Sequence, residues 1–454
     1  MNRKWIYGGG AAGFLALVVL AMVWSEMRCR SPWTGESEPA LRAFEDGLLD
    51  LDRHYMLDAV ADFRHALELD PNFAMAKLHL LMFKGGDSEE LERWWQELQA
   101  LPEDALSERE RFLIDYYELN HRQSDADGAG ALLDAYLQEP GNAEDPFALD
   151  RLCHRKWEMQ SWTEARACYQ RLLKAHPNSV DARTRLGLIA MAEGDFELAE
   201  ENFRTFVFVA PDQANSHDSL GQLQTVLGRY EEAEAGFQKA LDIKPDYCAA
   251  LRHGFRLYQL WGRDDDAAAM LEAMEGAESC DYLKNWGILC AGSAAVAASR
   301  GDVEEARRIF DDGCLERRGG FDRLAHRLAV GAEDWSTAEA IEARLEEAVA
   351  AKMQSGFQGR RSYLESLLPH LQGVRLLAQG EVGEACKRLQ ESDNHGLYWG
   401  LERSAMKLLN QGDLLRCLEQ TGHGAGAAAA RERLRRVNPT YLALVEGDEG
   451  SGSP

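Results

Sequence analysis

Residues 181–245 read DARTRLGLIAMAEGDFELAEENFRTFVFVAPDQANSHDSLGQLQTVLGRYEEAEAGFQKALDIKP and contain one pattern twice. The two copies share a spacing of two glycines, an alanine, a phenylalanine and a proline, which are Gly187, Gly194, Ala199, Phe203 and Pro211 in the first copy and Gly221, Gly228, Ala233, Phe237 and Pro245 in the second. Each pair is separated by 34 residues. A fixed period of this size indicates a stacked array of repeats.

Each copy predicts two short helices. In the first copy we expect helices from Ala182 to Ala192 and from Phe196 to Val209. Pro211 ends the second helix because proline has no amide proton and its ring clashes with the preceding turn. Gly187 would lie within a helix at a cost of about 1 kcal/mol relative to alanine. We therefore expect it to allow close packing against the second helix.

These offsets of small residues, an aromatic residue and a proline resemble the tetratricopeptide repeat. The register extends to less complete copies, marked by Leu152, Ala165, Tyr169 and Pro177, by Gly262, Ala267 and Leu271, and, out of phase, by Gly47, Ala59, Phe63, Ala66 and Pro71. The resemblance implies an all-α solenoid of helical hairpins. We divide it into N-terminal repeat-like helices, a core array, degenerate repeats and a disordered tail, at residues 40–142, 143–276, 277–444 and 445–454.

A second resemblance covers residues 40–276, where a repeat ends in Leu69-Asp70-Pro71 and a capping box of Ser107 and Glu110 begins a later helix. This order is similar to the repeat regions of bacterial membrane-anchored kinases and CadC-type regulators. In those families a kinase or DNA-binding domain precedes the membrane helix. Only four residues do so here, so any signalling output would come from elsewhere.

The N-terminus predicts one membrane helix. Residues 1–4 form a short cytoplasmic segment, residues 5–24 carry no charge, and residues 25–39 form a linker. Twenty residues suffice to cross roughly 30 Å of hydrocarbon. The length of the apolar run and the lack of an Ala-x-Ala site favour an uncleaved anchor over a signal peptide. Basic residues on both sides leave the orientation open, but we expect the N-terminus inside and the repeats in the periplasm of a bacterial envelope.

Charge and motifs exclude several function classes. The chain carries 76 acidic and 50 basic residues, a net charge of −26, so nucleic acid is not an expected partner. No phosphate-binding loop or His-Glu-x-x-His motif occurs, and the 12 histidines are never paired at ligand spacing. We predict no catalytic residues, no cofactor and no metal, and hence no enzyme.

Nine cysteines form no zinc pattern. Most lie on predicted helices where a small apolar residue would serve, which favours buried thiols. Cys153 and Cys168 stand on the two helices of one repeat, within reach of each other. An extracytoplasmic location would allow some pairs to be oxidised.

The resemblance to tetratricopeptide repeats implies a peptide-binding groove lined by the first helix of each repeat. The expected lining residues are Asp150, His154, Trp157, Asp181, Thr184, Asn215, Asp218, Gln222, Arg252 and Arg256. Family members that bind a C-terminal carboxylate use lysine and asparagine at sites where this chain has Asp150, Thr184 and Asp218. Arg252 and Arg256, one turn apart, would either bind an anion or form a solvated face.

Three functions follow from these patterns. The leading hypothesis is a non-catalytic, membrane-tethered scaffold that binds a protein or peptide in the groove. The second is a sensor or regulatory subunit whose groove recognises a small ligand or peptide. The third is an enzyme with an unrecognised site, which is disfavoured because helical solenoids rarely enclose a dry pocket.

Overall fold

The computed structural model describes residues 32–102, 104–285, 288–314, 322–353, 358–398 and 400–447. Throughout these ranges the regular secondary structure is helical, without a strand. None of the described helices is long and apolar enough to cross a bilayer. The anchor predicted over residues 5–24 lies outside the described residues, as do residues 448–454 of the predicted tail.

The described chain divides into two compact units. The first unit comprises residues up to Leu51 together with Tyr55–Leu132, and residues 52–54 belong to the second. The helices that form it are α1 (Glu38–Asp52), α2 (Met56–Leu69), α3 (Ala74–Met82), α4 (Ser88–Gln99), α5 (Glu108–Tyr117), a π-helical turn (Glu118–Arg122) and α6 (Ala126–Gln138), whose last residues belong to the second unit. The capping box predicted at Ser107 and Glu110 is confirmed.

The second unit begins with four helical hairpins. Their helices are α7 (Pro146–Glu158) and α8 (Trp162–Ala175), α9 (Val180–Glu193) and α10 (Phe196–Val209), α11 (Ala214–Val226) and α12 (Tyr230–Ile243), and α13 (Cys248–Trp261) and α14 (Asp264–Gly276). The two helices predicted between Ala182 and Val209 are confirmed. Helix α10 ends at the residue before Ala210, as Pro211 requires.

The helix-internal glycines make room for the phenylalanines of the same hairpin. A Cβ atom on Gly187 would lie 2.5 Å from the ring of Phe203, and one on Gly221 would lie 2.7 Å from the ring of Phe237. Both distances are far below van der Waals contact, so a side chain at either glycine would displace the ring. Gly194 ends α9 with φ of 77°, a left-handed conformation that glycine adopts without strain. The packing role predicted for Gly187 is confirmed.

The rest of the second unit is also helical. Its elements are a 3-10 turn (Glu278–Cys280), α15 (Asp281–Asn285), α16 (Ile288–Ser299), α17 (Val303–Gly313), α18 (Asp322–Gly331), α19 (Trp335–Met353), α20 (Gln358–Ala378), α21 (Val382–His395), α22 (Gly400–Gln420), α23 (Gly424–Val437) and α24 (Pro439–Gly447). The last three helices return to the central hairpins. Leu401, Leu408 and Leu434 share one buried apolar cluster with Leu223 and Leu257.

Four disulfides join neighbouring elements of the second unit. The pairs are Cys153–Cys168, Cys248–Cys280, Cys290–Cys314 and Cys386–Cys417. Their Cα–Cα distances of 5.3 to 5.7 Å lie in the range that a disulfide requires. The expectation of buried thiols is wrong for these eight cysteines, while the proximity expected for Cys153 and Cys168 is confirmed. Cys29 lies outside the described residues.

Candidate binding surface on the first helices

All ten residues predicted to line a groove lie on α7, α9, α11 and α13, the first helices of the four hairpins. We call the surface that these helices form the first-helix face. Its two halves differ. Predicted residues on α11 and α13 contact α22, near the C-terminus. Predicted residues on α7 and α9 instead contact residues of their own helix or His54.

A buried polar network lies on the α11 and α13 half. Asp218 is 2% exposed, and its Oδ1 lies 2.7 Å from Nδ1 of His253. Gln222 donates from Nε2 to the second oxygen of Asp218 at 3.1 Å, and its Oε1 accepts from the backbone amide of Leu401 at 3.4 Å. Asn215 is also buried. These three predicted groove residues therefore make internal contacts of the second unit.

Arg252 and Arg256 are paired with Glu402 of α22. Arg256 donates from Nε and Nη2 to one oxygen of Glu402 at 3.0 and 2.7 Å, and Arg252 donates from Nη1 to the other at 3.2 Å. Burial acts to raise the pKa of Glu402, but the charges of Arg256 and Arg252 outweigh it and lower the pKa to about 2. The solvated face considered for these arginines is thus replaced by an ion pair within the chain.

Apolar side chains also pack α22 against α11 and α13. Leu401, Ala405 and Leu408 are almost fully buried in the cluster that holds Leu223 and Leu257. These residues are four and three positions apart, so they lie on one face of the helix. Such an apolar stripe predicts that the face is buried, but it does not identify the helix that covers it. No pattern in the sequence predicts that the C-terminal helices cover α11 and α13.

On α7, an aromatic and charged group remains partly exposed. The rings of His154 and Trp157 stack with centroids 5.2 Å apart, and the guanidinium of Arg185 on α9 lies 4.4 Å from the Trp157 ring. Nε2 of His154 is 3.3 Å from Glu158, and this hydrogen bond lowers the pKa of the Glu158 carboxyl. Side-chain exposures of 26% for His154 and 37% for Glu158 leave the group reachable from solvent.

The remaining predicted residues are held by close neighbours. Asp150 pairs with Arg151 at 2.6 Å, and Thr184 donates to the carbonyl of Val180 at 3.0 Å. Asp181 lies 2.9 Å from Nε2 of His54, which belongs to the same unit. Burial raises the pKa of Asp181, but the hydrogen bond with His54 outweighs it and lowers the pKa to about 2.

Tyr169 of α8, which marks the repeat register in the sequence, adds a buried polar group. Its side chain is fully buried, and its hydroxyl has no hydrogen-bond partner among the described residues. Burial and, next, the charge of Asp150 raise its pKa. A buried hydroxyl without a partner is costly.

The partly exposed group on α7 and α9 has side chains that can contact another molecule. Stacked rings, a guanidinium and a carboxylate suit contact with a polypeptide. Within the described ranges, no group of three or more His, Cys, Asp or Glu side chains could hold a metal ion. As peptide-binding residues, the ten positions stay a prediction.

The comparisons agree with the repeat pattern. Residues 154–204 and 184–247 match the family model of the tetratricopeptide repeat. The crystal structure of the APC/C hetero-tetramer Cut9-Hcn1 is similar with a TM-score of 0.52 and 13% identity, over 90% of this chain and 74% of that chain. This likeness shows a shared fold. Among curated protein sequences, none matches this chain.

Two bacterial structures are similar over shorter stretches. A tetratricopeptide repeat protein from Parabacteroides merdae aligns with a TM-score of 0.40 and 17% identity, over 65% of this chain and 98% of its own. PilF of Pseudomonas aeruginosa aligns with a TM-score of 0.36 and 20% identity, over 48% of this chain and 97% of its own.

Proposed function

We propose that this chain, whose residues 154–247 match the tetratricopeptide repeat, is a non-catalytic scaffold that binds a polypeptide on the α7 and α9 half of its first-helix face. Tetratricopeptide repeats suggest protein–protein interaction in general. One observation favours this half. Helix α22 covers the predicted residues on α11 and α13, whereas His154, Trp157 and Arg185 stay partly exposed.

His154, Trp157 and Arg185 include residue types that are common at the centres of protein–protein interfaces. Tryptophan and arginine are enriched among residues that dominate binding energy, because they combine a large apolar surface with directed hydrogen bonds. Arg185 against Trp157 forms a preorganised pair, so binding would order few additional side chains. The Glu158 carboxylate beside it is 37% exposed, so it can accept a hydrogen bond from a partner segment.

We further propose that residues 5–24 anchor the protein in the inner membrane with the repeats in the periplasm. The four disulfides support this placement, since disulfides form and persist in oxidising compartments. Reporter fusions after Pro454 test it. Periplasmic alkaline phosphatase activity is expected there, and activity of a cytoplasmic reporter instead would overturn the placement.

Site-specific photocrosslinking tests the binding surface. A photoreactive residue at His154 should give a discrete adduct with one protein, whereas the same residue at Arg204, on the exposed side of α10, should not. The adduct should disappear when Trp157→Ala or Arg185→Ala is added. An equal adduct from both positions, or one that survives both substitutions, would contradict the proposed site.

A further inference from the structure

Arg185 of α9 makes no hydrogen bond or ion pair within the described part of the chain. Its guanidinium lies 4.4 Å from the Trp157 ring, and the side chain is only partly buried. A guanidinium that stacks on an aromatic ring keeps its N–H donors directed along its edge, away from the ring. The donors of Arg185 are therefore fixed in place and open to a ligand.

The carboxylates near Arg185 already have histidine partners. Glu158 lies 3.3 Å from Nε2 of His154, and Asp181 lies 2.9 Å from Nε2 of His54. The hydrogen bond with His154 is the main cause that lowers the pKa of Glu158, and the charge of Arg185 adds to it. A ligand carboxylate at Arg185 would face the negative charges of Glu158 and Asp181, which favours a neutral acceptor instead.

An apolar area adjoins these polar groups. Leu188 lies three residues after Arg185 on the same side of α9 and is partly exposed, as is Trp157 on α7. The ring of His154 stacks on Trp157 with centroids 5.2 Å apart and holds it in place. An apolar side chain of a partner can pack here while its polar groups reach Arg185 and Glu158.

We propose that this surface binds an extended polypeptide segment through its main chain, with Arg185 donating to a backbone carbonyl and Glu158 accepting from a backbone amide. Each residue of a segment other than proline offers one such acceptor and one such donor, and neither carries a net charge. The inference rests on the polypeptide binding proposed above and adds the chemistry of the partner. That partner needs an apolar side chain against Trp157 and Leu188 but no charged residue.

Selection from a phage-displayed library of random short peptides, on the purified full-length protein, tests this chemistry. The selected peptides should share an apolar position and no acidic or basic residue. Arg185→Ala should weaken their binding by about tenfold or more, whereas Arg204→Ala, which removes an exposed arginine of α10, should leave it unchanged. An acidic residue common to all selected peptides, or binding that Arg185→Ala leaves unchanged, would overturn the proposal.

Changes in the peptide backbone give a sharper test that does not alter the fold of the protein. An ester in place of one peptide bond weakens that carbonyl as an acceptor. At the bond that faces Arg185, the ester should weaken binding by about three- to tenfold in the wild type and cause no further loss in Arg185→Ala. N-methylation of the amide that faces Glu158 should likewise lose its effect in Glu158→Ala. Independent effects in both pairs would refute the main-chain contacts.

These results are separable from the test of the proposed function. Photocrosslinking from His154 shows whether a protein binds at all, whereas the peptide experiments show which atoms are recognised. A specific adduct at His154 without coupling to the peptide backbone would leave polypeptide binding standing and remove this inference. A selection that enriches no peptide would also overturn it.

Discussion

Replacing Asn438 with alanine should loosen the C-terminal helices from the third hairpin. Asn438 precedes α24 and is fully buried. Its Nδ2 donates to the carbonyl of Thr225 at 3.1 Å and to the hydroxyl of Tyr230 at 3.2 Å, while its Oδ1 accepts from the amide of Tyr441 at 2.8 Å. One side chain thus links segments that are more than 200 residues apart.

The expected cost follows from these three bonds. A buried hydrogen bond contributes about 1 kcal/mol net, and each partner left without a substitute adds a desolvation penalty. The hydroxyl of Tyr230 is fully buried, so water does not readily replace the lost donor. We therefore expect Asn438→Ala to lower the free energy of unfolding by about 2–4 kcal/mol.

Urea denaturation gives the free-energy change, and hydrogen exchange shows where it acts. Amides of α24 (Pro439–Gly447) should exchange faster in Asn438→Ala, whereas those of α9 should be nearly unchanged. Tyr230→Phe removes one of the three bonds and should cost about 1 kcal/mol. The exposed Asn394→Ala is the matched control and should be neutral.

The double variant, Asn438→Ala with Tyr230→Phe, tests whether the two side chains interact. If Asn438 and Tyr230 interact, the combined loss should be smaller than the sum of the single losses by about 0.5–1 kcal/mol. A loss below about 0.5 kcal/mol for Asn438→Ala, or strict additivity with unchanged exchange in α24, would refute the docking of the C-terminal helices described here.

Three further variants test the packing, the buried charges and the disulfides. Gly187→Ala should cost about 1–3 kcal/mol in urea denaturation, because the new methyl group overlaps a ring, whereas Gly276→Ala, with open space at its Cβ, should be neutral or slightly stabilising. Burial lowers the pKa of His370 to about 4, below its ordinary 6.5. The unfolded chain therefore binds the proton first, so about 3 kcal/mol of stability present above pH 6.5 should be lost as the pH falls towards 4, and His370→Asn should lack this dependence. Replacing Cys153 and Cys168 by alanine should cost about 3 kcal/mol for a loop of this length, and an unchanged melting temperature would argue against the pair.

The hairpins could be predicted from sequence because their determinants are local. A glycine and a phenylalanine 16 residues apart, as at Gly187 and Phe203, meet across a single turn, and the 34-residue period repeats that contact. Pro177, Pro211 and Pro245 fix the ends of the first three hairpins for a stereochemical reason. The two central copies therefore identify the array, and the flanking copies keep part of the same pattern.

The return of the C-terminal helices could not be predicted in the same way. The ion pair of Arg256 with Glu402 spans 146 residues, and that of Arg252 with Glu402 spans 150. Contacts at such separations occur once and leave no period. An apolar stripe predicts that α22 buries one face but not that α11 and α13 cover it. The disulfide pairs could not be predicted either, because a buried cysteine and a small apolar residue fit the same helical pattern.

The same long-range contacts determine which part of the repeat array is left for a partner. In an ordinary solenoid each repeat contacts only its neighbours, so every first helix contributes equally to the exposed face. Here α22 removes α11 and α13 from that face and neutralises two arginines with its own Glu402. What remains is the group of His154, Trp157 and Arg185 at the α7 and α9 end. The C-terminal helix α22, which the 34-residue pattern does not include, thus determines that the proposed polypeptide site lies on α7 and α9.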